Sequence, residues 1–252
     1  FYTVTGENGG TAQAAVSITV QGANDAPVAR ADTITTDEDT ADTGNVLSDN
    51  GAGRDTDAEG DSLTVTRVNG VAANVGSQIM LASGALLLVN PDGTYSYDAD
   101  GRFELLGDGE RATDTFTYTV DDGQGGTATA SVSVRVTGVN DPPVANNDAS
   151  STDEDTAVTI DLLANDIDAE TPTPVFAGFR DNAPKGLLTE NADGTVTYDP
   201  SGRFDSLAEG EREIDTFSYG IEDGAGGVDV ATVTVEVVGI NDAPEAENDA
   251  AS

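Results

Sequence analysis

Asp114-Thr115-Phe116-Thr117-Tyr118-Thr119-Val120, then a turn from Asp121 to Gly126, then Val132-Ser133-Val134-Arg135-Val136, is the stretch that decides the fold. An apolar residue at every second position, with threonine, serine or arginine between, is the period of a strand with one buried face. The glycine-rich turn makes the pair a β-hairpin. The pattern recurs as Phe217, Tyr219, Ile221 with Val233, Val235, Val237, joined by Glu222 to Gly227, and as Tyr2, Val4 with Val16, Ile18, Val20, joined by Thr5 to Gly10. A second hairpin reads from Leu86 and Leu88 through Asn90-Pro91-Asp92-Gly93 to Tyr95 and Tyr97, with a copy through Leu187, Asn191-Ala192-Asp193-Gly194, Val196 and Tyr198. Proline presets such a turn and glycine completes it. Short alternating strands with turns between them predict an all-β fold of tandem antiparallel immunoglobulin-like β-sandwiches, about seven strands per unit. Arg102 to Glu110 and Arg203 to Glu211 are expected to form one short helical turn each.

The unit length is set by a junction that occurs three times: Asn24-Asp25-Ala26-Pro27, Asn140-Asp141-Pro142-Pro143 and Asn241-Asp242-Ala243-Pro244. After the first two, an Asp-Glu-Asp-Thr box begins at Asp37 and at Asp153, 13 residues past the asparagine each time. Such self-similarity marks an array of like domains. The expected division is 1–26 as the last hairpin of a preceding repeat, 27–142 and 143–243 as complete repeats, and 244–252 as the start of another. Spacing between copies falls from 116 residues at the acid box to 111 at Asp57/Asp168 and 101 at Gly93/Gly194, so the length differences lie in loops. The chain opens in mid-pattern at Phe1 without a signal peptide and reads as an excerpt from a longer protein.

Forty-seven acidic side chains face ten basic ones, a formal net charge of −37, with no histidine or cysteine. Self-repulsion on that scale opposes compaction unless cations bind or screen it. Nucleic acid is a poor partner, because its binding depends on lysine and arginine contacts, and anionic membranes are poor for the same reason. Disulfides, thiolate nucleophiles, histidine bases and zinc sites of the usual kind are excluded. Carboxylates and carbonyls remain as ligands in quantity, and these hard oxygens suit calcium, the divalent ion of many extracellular modules.

Asp55-Thr56-Asp57-Ala58-Glu59-Gly60-Asp61 carries the alternating acids and central glycine of a calcium loop. It is not an EF-hand, since Thr66 stands at the closing glutamate position. The second copy keeps Asp166, Asp168 and Glu170 but has Thr171-Pro172 where the glycine stood, so aspartates at i and i+2 are the shared element. Any one such acid is ordinarily a solvated surface charge. The junction, the acid box, the Asp-x-Asp loop and the acidic start of the last hairpin turn recur together, however, and that favours calcium for the set. The recurring Arg102/Arg203 and Arg111/Arg212 are read as partners within a repeat for acids such as Glu104 or Glu110.

The run Gly93-Thr94-Tyr95-Ser96-Tyr97-Asp98, Gly101-Arg102-Phe103, Gly109-Glu110, Asp114 to Gly123, and Val139-Asn140-Asp141-Pro142-Pro143-Val144-Ala145 closely resembles the VCBS repeats of large bacterial surface proteins. Its copy extends from Gly194 through Ala246. The junction and the Asp-x-Asp loop are similar to those of bacterial cadherin-like domains, which implies an immunoglobulin/cadherin-like sandwich with calcium at the joints. By that resemblance the first joint would use Asn24 through its carbonyl, Asp25, Asp55, Asp57 and Asp121 or Asp122. The second would use Glu38, Asn140, Asp141, Asp166, Asp168 and Glu222 or Asp223. A third would begin with Glu154, Asn241 and Asp242. The cadherin mid-domain acidic motif has no clear counterpart, Asp108 and Glu110 standing nearest.

Two function classes follow. One is a calcium-stiffened repeat module of a cell-surface or secreted bacterial adhesin, with calcium and another adhesin chain as partners. The other is a calcium-dependent lectin for an exopolysaccharide; the absence of tryptophan and the net charge weigh against it. An enzyme is the weakest reading, since the paired acids lie on turns and joints where a metal explains them.

Overall fold

The computed structural model describes residues 1–180, 183–200 and 202–242, and the alternating segments form strands in chain order. β1 (Tyr2–Thr5) and β2 (Thr11–Ala14) make an exposed two-stranded hairpin. Eight strands follow: β3 (Asp32–Asp37), β4 (Asp42–Asn45), β5 (Thr64–Val68), β6 (Ile79–Met80), β7 (Leu86–Val89), β8 (Thr94–Asp98), β9 (Arg111–Asp121) and β10 (Thr127–Thr137). They form sheets of order β3-β10-β9-β5 and β4-β8-β7-β6. The next seven are β11 (Asp148–Asp153), β12 (Val158–Ile160), β13 (Val175–Phe179), β14 (Leu187–Glu190), β15 (Val196–Asp199), β16 (Arg212–Glu222) and β17 (Val228–Val238). Their sheets run β11-β17-β16-β13 and β12-β15-β14.

In the first sandwich Val65, Phe116, Tyr118, Val132 and Val134 from one sheet pack with Val46, Leu87, Val89 and Tyr97 from the other side. Phe217, Tyr219, Val233 and Val235 meet Leu162, Val196, Tyr198 and Phe204 in the second. Facing apolar rows of this kind are what two stacked sheets bury between them. The period-two reading of the long hairpins therefore holds for the expected apolar residues, although Ser218 and Gly220 between them in β16 are buried as well.

Among the described strands, pairing departs from the antiparallel expectation at one edge of each sandwich. β3 runs parallel to β10, from Asp32↔Val132 to Asp37↔Thr137, and β11 runs parallel to β17, from Asp148↔Val233 to Asp153↔Val238. The first and last strands of each sandwich lie side by side and point the same way. A chain that enters a sandwich at one end and leaves at the other must do this. The register carries the acid box to the exit: Glu38 N–H donates to the Thr137 carbonyl at 3.1 Å, and Glu154 N–H to the Val238 carbonyl at 3.1 Å.

Other local expectations shift. In β7 the core-facing residues are Leu87 and Val89, not Leu86 and Leu88; the run is apolar at every position, so alternation could not choose the face. β2 ends at Ala14, and Val16, Ile18 and Val20 are exposed and outside any strand, having no second sheet to pack on. A single 3₁₀ turn, at Ala72–Asn74, is the only helix among the described residues. Arg102 to Glu110 and Arg203 to Glu211 form tight turns instead, closed by Leu106 N–H to the Phe103 carbonyl and Leu207 N–H to the Phe204 carbonyl at 2.8 and 2.9 Å. The repeat fragment 244–252 lies outside the described residues.

These turn segments are pinned to the exit of each sandwich. Gly138 N–H donates to the Glu110 carbonyl at 2.9 Å, and Gly109 N–H to the Gly138 carbonyl at 3.0 Å. A Cβ on Gly138 would lie 2.4 Å from the carbonyl oxygens of Leu106 and Gly107. Neither backbone atom can yield as a side-chain tip would, so Gly138→Ala should destabilise the first sandwich by about 1–3 kcal/mol. A urea midpoint equal to that of the unaltered chain would show that the loop accommodates the methyl group.

Candidate functional site

Four segments, the end of β3, the turn after Phe103, the junction and the Asp-x-Asp loop, bring acidic side chains to the region between Glu38 and Glu170. From the first sandwich, β3 ends beside the exit of β10, and Glu38 Oε1 accepts from Val139 N–H at 2.7 Å. The pinned turn after Phe103 brings Glu104 to the same place, where carboxylate oxygens of Asp39, Glu104 and Asp141 all lie within 4.8 Å of one another. From the second sandwich, Val144 and Ile167 form an isolated antiparallel bridge, which ties the junction to the Asp-x-Asp loop. That bridge sets Glu170 Oε1 to accept from Asp141 N–H at 2.8 Å. Asp168 Oδ1 in turn accepts from Glu170 N–H, Thr171 N–H and the Thr171 hydroxyl, so threonine closes the loop where the first copy uses Gly60.

Several buried carboxylate oxygens of this cluster have no hydrogen-bond donor. Glu38 is 3% exposed, and its Oε2, with Asp141 Oδ2, Asp168 Oδ2 and Glu170 Oε2, is buried without a hydrogen-bond partner. Burial pushes the Glu38 carboxyl up, the Val139 N–H opposes this, and the charges of Asp141, Asp39 and Glu170 push it further. Burial likewise raises Glu104, helped by Asp141, Glu38 and Asp39. Among the described residues the ion pairs are Lys185–Glu213 and Arg212–Glu236, neither of them here. Buried carboxylates are normally paired or bound to metal, and hard oxygen donors from several segments suit a hard divalent ion.

The other joints show parts of the same arrangement. At the first, Val28 pairs with Thr56, Asp25 N–H donates to Glu59 Oε2 at 3.3 Å, and Asp57 holds its loop through Glu59 N–H and Asp61 N–H while its Oδ2 stays unpartnered. At the third, Glu154 is 1% exposed; its Oε1 accepts from Ile240 N–H at 2.8 Å and its Oε2 has no partner, while Asn241 and Asp242 are exposed.

Several expected ligands have other partners. Asp122 Oδ1 accepts from Gln124 and Gly126 N–H, and its Oδ2 from the Asn24 amide at 2.9 Å; Asp223 repeats this with Ala225, Gly226 and Gly227 N–H and the Asn140 amide at 2.8 Å. These two carboxyls lie below the usual range, chiefly through the asparagine. They clasp the junction to the last hairpin. Asp121 caps its own turn through Gly123 N–H, and Glu222 is exposed. Asp55 and Asp166 turn inward, toward the hydroxyls of Tyr118 and Tyr219.

Asp39, Glu104 and Glu170 were not among the expected ligands. The signal for Glu104 was present, since Gly101-Arg102-Phe103-Glu104 and Gly202-Arg203-Phe204-Asp205 are copies. Arg212 pairs with Glu236, an acid of its own repeat, as expected of that arginine, whereas Glu104 faces Asp141 and not an arginine. Glu110 instead accepts from Gly107 N–H within its turn.

Residues 24–138 match the bacterial cadherin-like domain family, and residues 140–236 match the bacterial Ig domain family. No curated protein matches the chain. Similar solved structures include Drosophila N-cadherin EC1-4, 15% identical over 86% of this chain and 50% of that one, with a TM-score of 0.45. Human CDH23 EC21-23 is 14% identical over 86% and 70%, with a TM-score of 0.46, and human Protocadherin-24 EC1-2 is 13% identical over 88% and 100%, with a TM-score of 0.41. The chain thus spans half the length of the N-cadherin fragment.

The charge imbalance has a pH signature. Burial lifts Asp32 and Asp148 to about 6, from 3.8, and Glu38 and Glu104 also rise. A carboxyl with a raised folded value binds protons better folded than unfolded, so its effect on stability is most favourable below the unfolded value and is lost as pH climbs through the folded one. The lowered carboxyls of Asp92, Asp122, Asp193 and Asp223 act oppositely, but only as pH falls toward and below their unfolded value. Metal-stripped protein should therefore show a higher urea midpoint at pH 5 than at pH 7.5; the reverse order would contradict this account of the buried carboxylates.

Proposed function

From a bacterial cadherin-like domain followed by a bacterial Ig domain, we propose that the chain is a calcium-stiffened repeat module of an extracellular adhesin, on a bacterial surface or secreted into a biofilm matrix. The observation that carries this reading is the convergence of Glu38, Asp39 and Glu104 from one sandwich with Asp141 and Glu170 from the junction and the next, where buried oxygens of Glu38, Asp141 and Glu170 lack partners. The repeats would divide at 27–142 and 143–243, flanked by 1–26 and 244–252.

The role is mechanical and non-catalytic. Bound calcium supplies positive charge and six to eight oxygen bonds at 2.3–2.6 Å. Glu38, Asp39 and Glu104 would hold it from the upstream side, with Asp141, Asp168 and Glu170 from the junction and the downstream side. Asn140 and Asp223 keep the junction on the downstream sandwich whether or not an ion is present. Because the folded joint binds and the unfolded chain does not, a site at a free-ion level 100-fold above Kd contributes about 2.7 kcal/mol. Two or three such sites rival the net stability of a small domain. A lectin role lacks a stacking platform in the tyrosines Tyr97, Tyr118, Tyr198 and Tyr219, whose rings are fully buried in the cores.

Chelation should lower the melting temperature and increase the radius of gyration in small-angle scattering, and calcium should restore both. Asp141→Ala combined with Asp168→Ala should reduce the number of calcium ions bound per chain. Unchanged melting and scattering on chelation would overturn the proposal.

A further inference from the structure

A second set of buried acids lies inside each sandwich and is not explained by the joints. The Tyr118 hydroxyl is 2.8 Å from Asp55 Oδ2, 3.0 Å from the Val46 carbonyl oxygen and 3.1 Å from the Arg30 carbonyl oxygen. One phenol proton can serve one of these three acceptors. Beside them stands Asp32, 3% exposed, its Oδ2 buried without a partner. The second sandwich repeats the arrangement. The Tyr219 hydroxyl lies 2.8 Å from the Leu162 carbonyl oxygen, 3.1 Å from that of Asn146, and 3.1 and 3.0 Å from the two oxygens of Asp166. Asp148 Oδ2 is likewise buried and unpartnered.

We propose that each sandwich binds one hard divalent cation inside its entrance end, separate from the joints: on Asp32, Asp55, the Arg30 and Val46 carbonyls and Tyr118 in the first, and on Asp148, Asp166, the Asn146 and Leu162 carbonyls and Tyr219 in the second. Two carboxylates, two backbone carbonyls and a hydroxyl are the hard donors that calcium takes. Two carboxylates also set the charge at two. No arginine or lysine forms an ion pair with these acids among the described residues. A proton is the competing source of neutrality.

The site is distinct from the joint by orientation. Asp55 faces Tyr118 and Arg30 N–H, whereas Asp57, two residues on, caps the Asp57–Asp61 loop. An ion here would connect the start of β3, the segment after β4 and the centre of β9, and so join the two sheets of one sandwich instead of two sandwiches to each other.

The test counts bound calcium on the full chain at pH 7.5 by native mass spectrometry, for the unaltered protein, Asp32→Asn, Asp148→Asn and Asp141→Ala. Each of the first two variants should lose one ion, and their combination two, with the joint ions retained. Asp141→Ala should lose joint ions and keep these, so the two readings fail separately. An unchanged count in Asp32→Asn and Asp148→Asn would overturn the proposal in favour of a shared proton. Should either variant misfold, anomalous diffraction from the unaltered chain loaded with terbium decides. Peaks in contact with the Tyr118 and Tyr219 hydroxyls are expected, and a map without them overturns the proposal.

Discussion

Carboxylate oxygens held out of water with nothing positive beside them are the constraint on which this structure turns. Away from those oxygens the apolar cores are self-sufficient: Phe116 and Val134 in one sandwich and Phe217 and Val235 in the other pack on apolar neighbours. The regions between sandwiches are not. Ten basic residues cannot neutralise forty-seven acidic ones, and the ion pairs among the described residues, Lys185–Glu213 and Arg212–Glu236, lie on partly exposed side chains where such pairs contribute little. The packing of an apolar core and the geometry of a joint therefore have different physical sources.

The parallel pairing of first and last strands connects the two. Because β3 runs alongside β10 in the same direction, the acid box that follows β3 arrives at the far end of the sandwich next to Val139 and the junction. An antiparallel edge would have left Glu38 at the entrance. The same register in β11 and β17 places Glu154 beside Ile240. A topological choice about one edge strand thus decides which joint receives an acid that is remote from it in sequence.

Legibility in the sequence followed the strength of the periodic signal. The long hairpins were readable because Phe116, Tyr118 and Val120 alternate with threonine, and the buried set is the predicted one. Where every residue is apolar, as from Leu86 to Val89, the face was decided by pairing with Tyr95 and Tyr97, which no local pattern records. Asp-x-Asp was recognisable as a unit, but its two aspartates have different surroundings. Asp55 is drawn inward by a tyrosine hydroxyl 63 residues away, a contact that only the packed sheets create. Glu104 sits in a repeated segment, yet its place depends on the turn being pinned to Gly138. Composition and spacing identified the acids; long-range packing decided their neighbours.

The second joint is fastened unequally on its two sides. Downstream, the Asn140 amide is held by Asp223, the Asp141 N–H by Glu170, and Val144 by two backbone hydrogen bonds to Ile167, while Gly227 lets Pro142 and Pro143 approach the hairpin closely. Upstream, the acid box is tied to the junction by Glu38 accepting from Val139 N–H, and the remaining approach is carboxylate against carboxylate. Hydrogen bonds of the first kind persist without an ion, whereas mutual repulsion of the second kind grows as screening falls. The junction therefore belongs mechanically to the sandwich that follows it, and the uncompensated contact is the upstream one, between Glu38, Asp39, Glu104 and the Asp141 carboxylate.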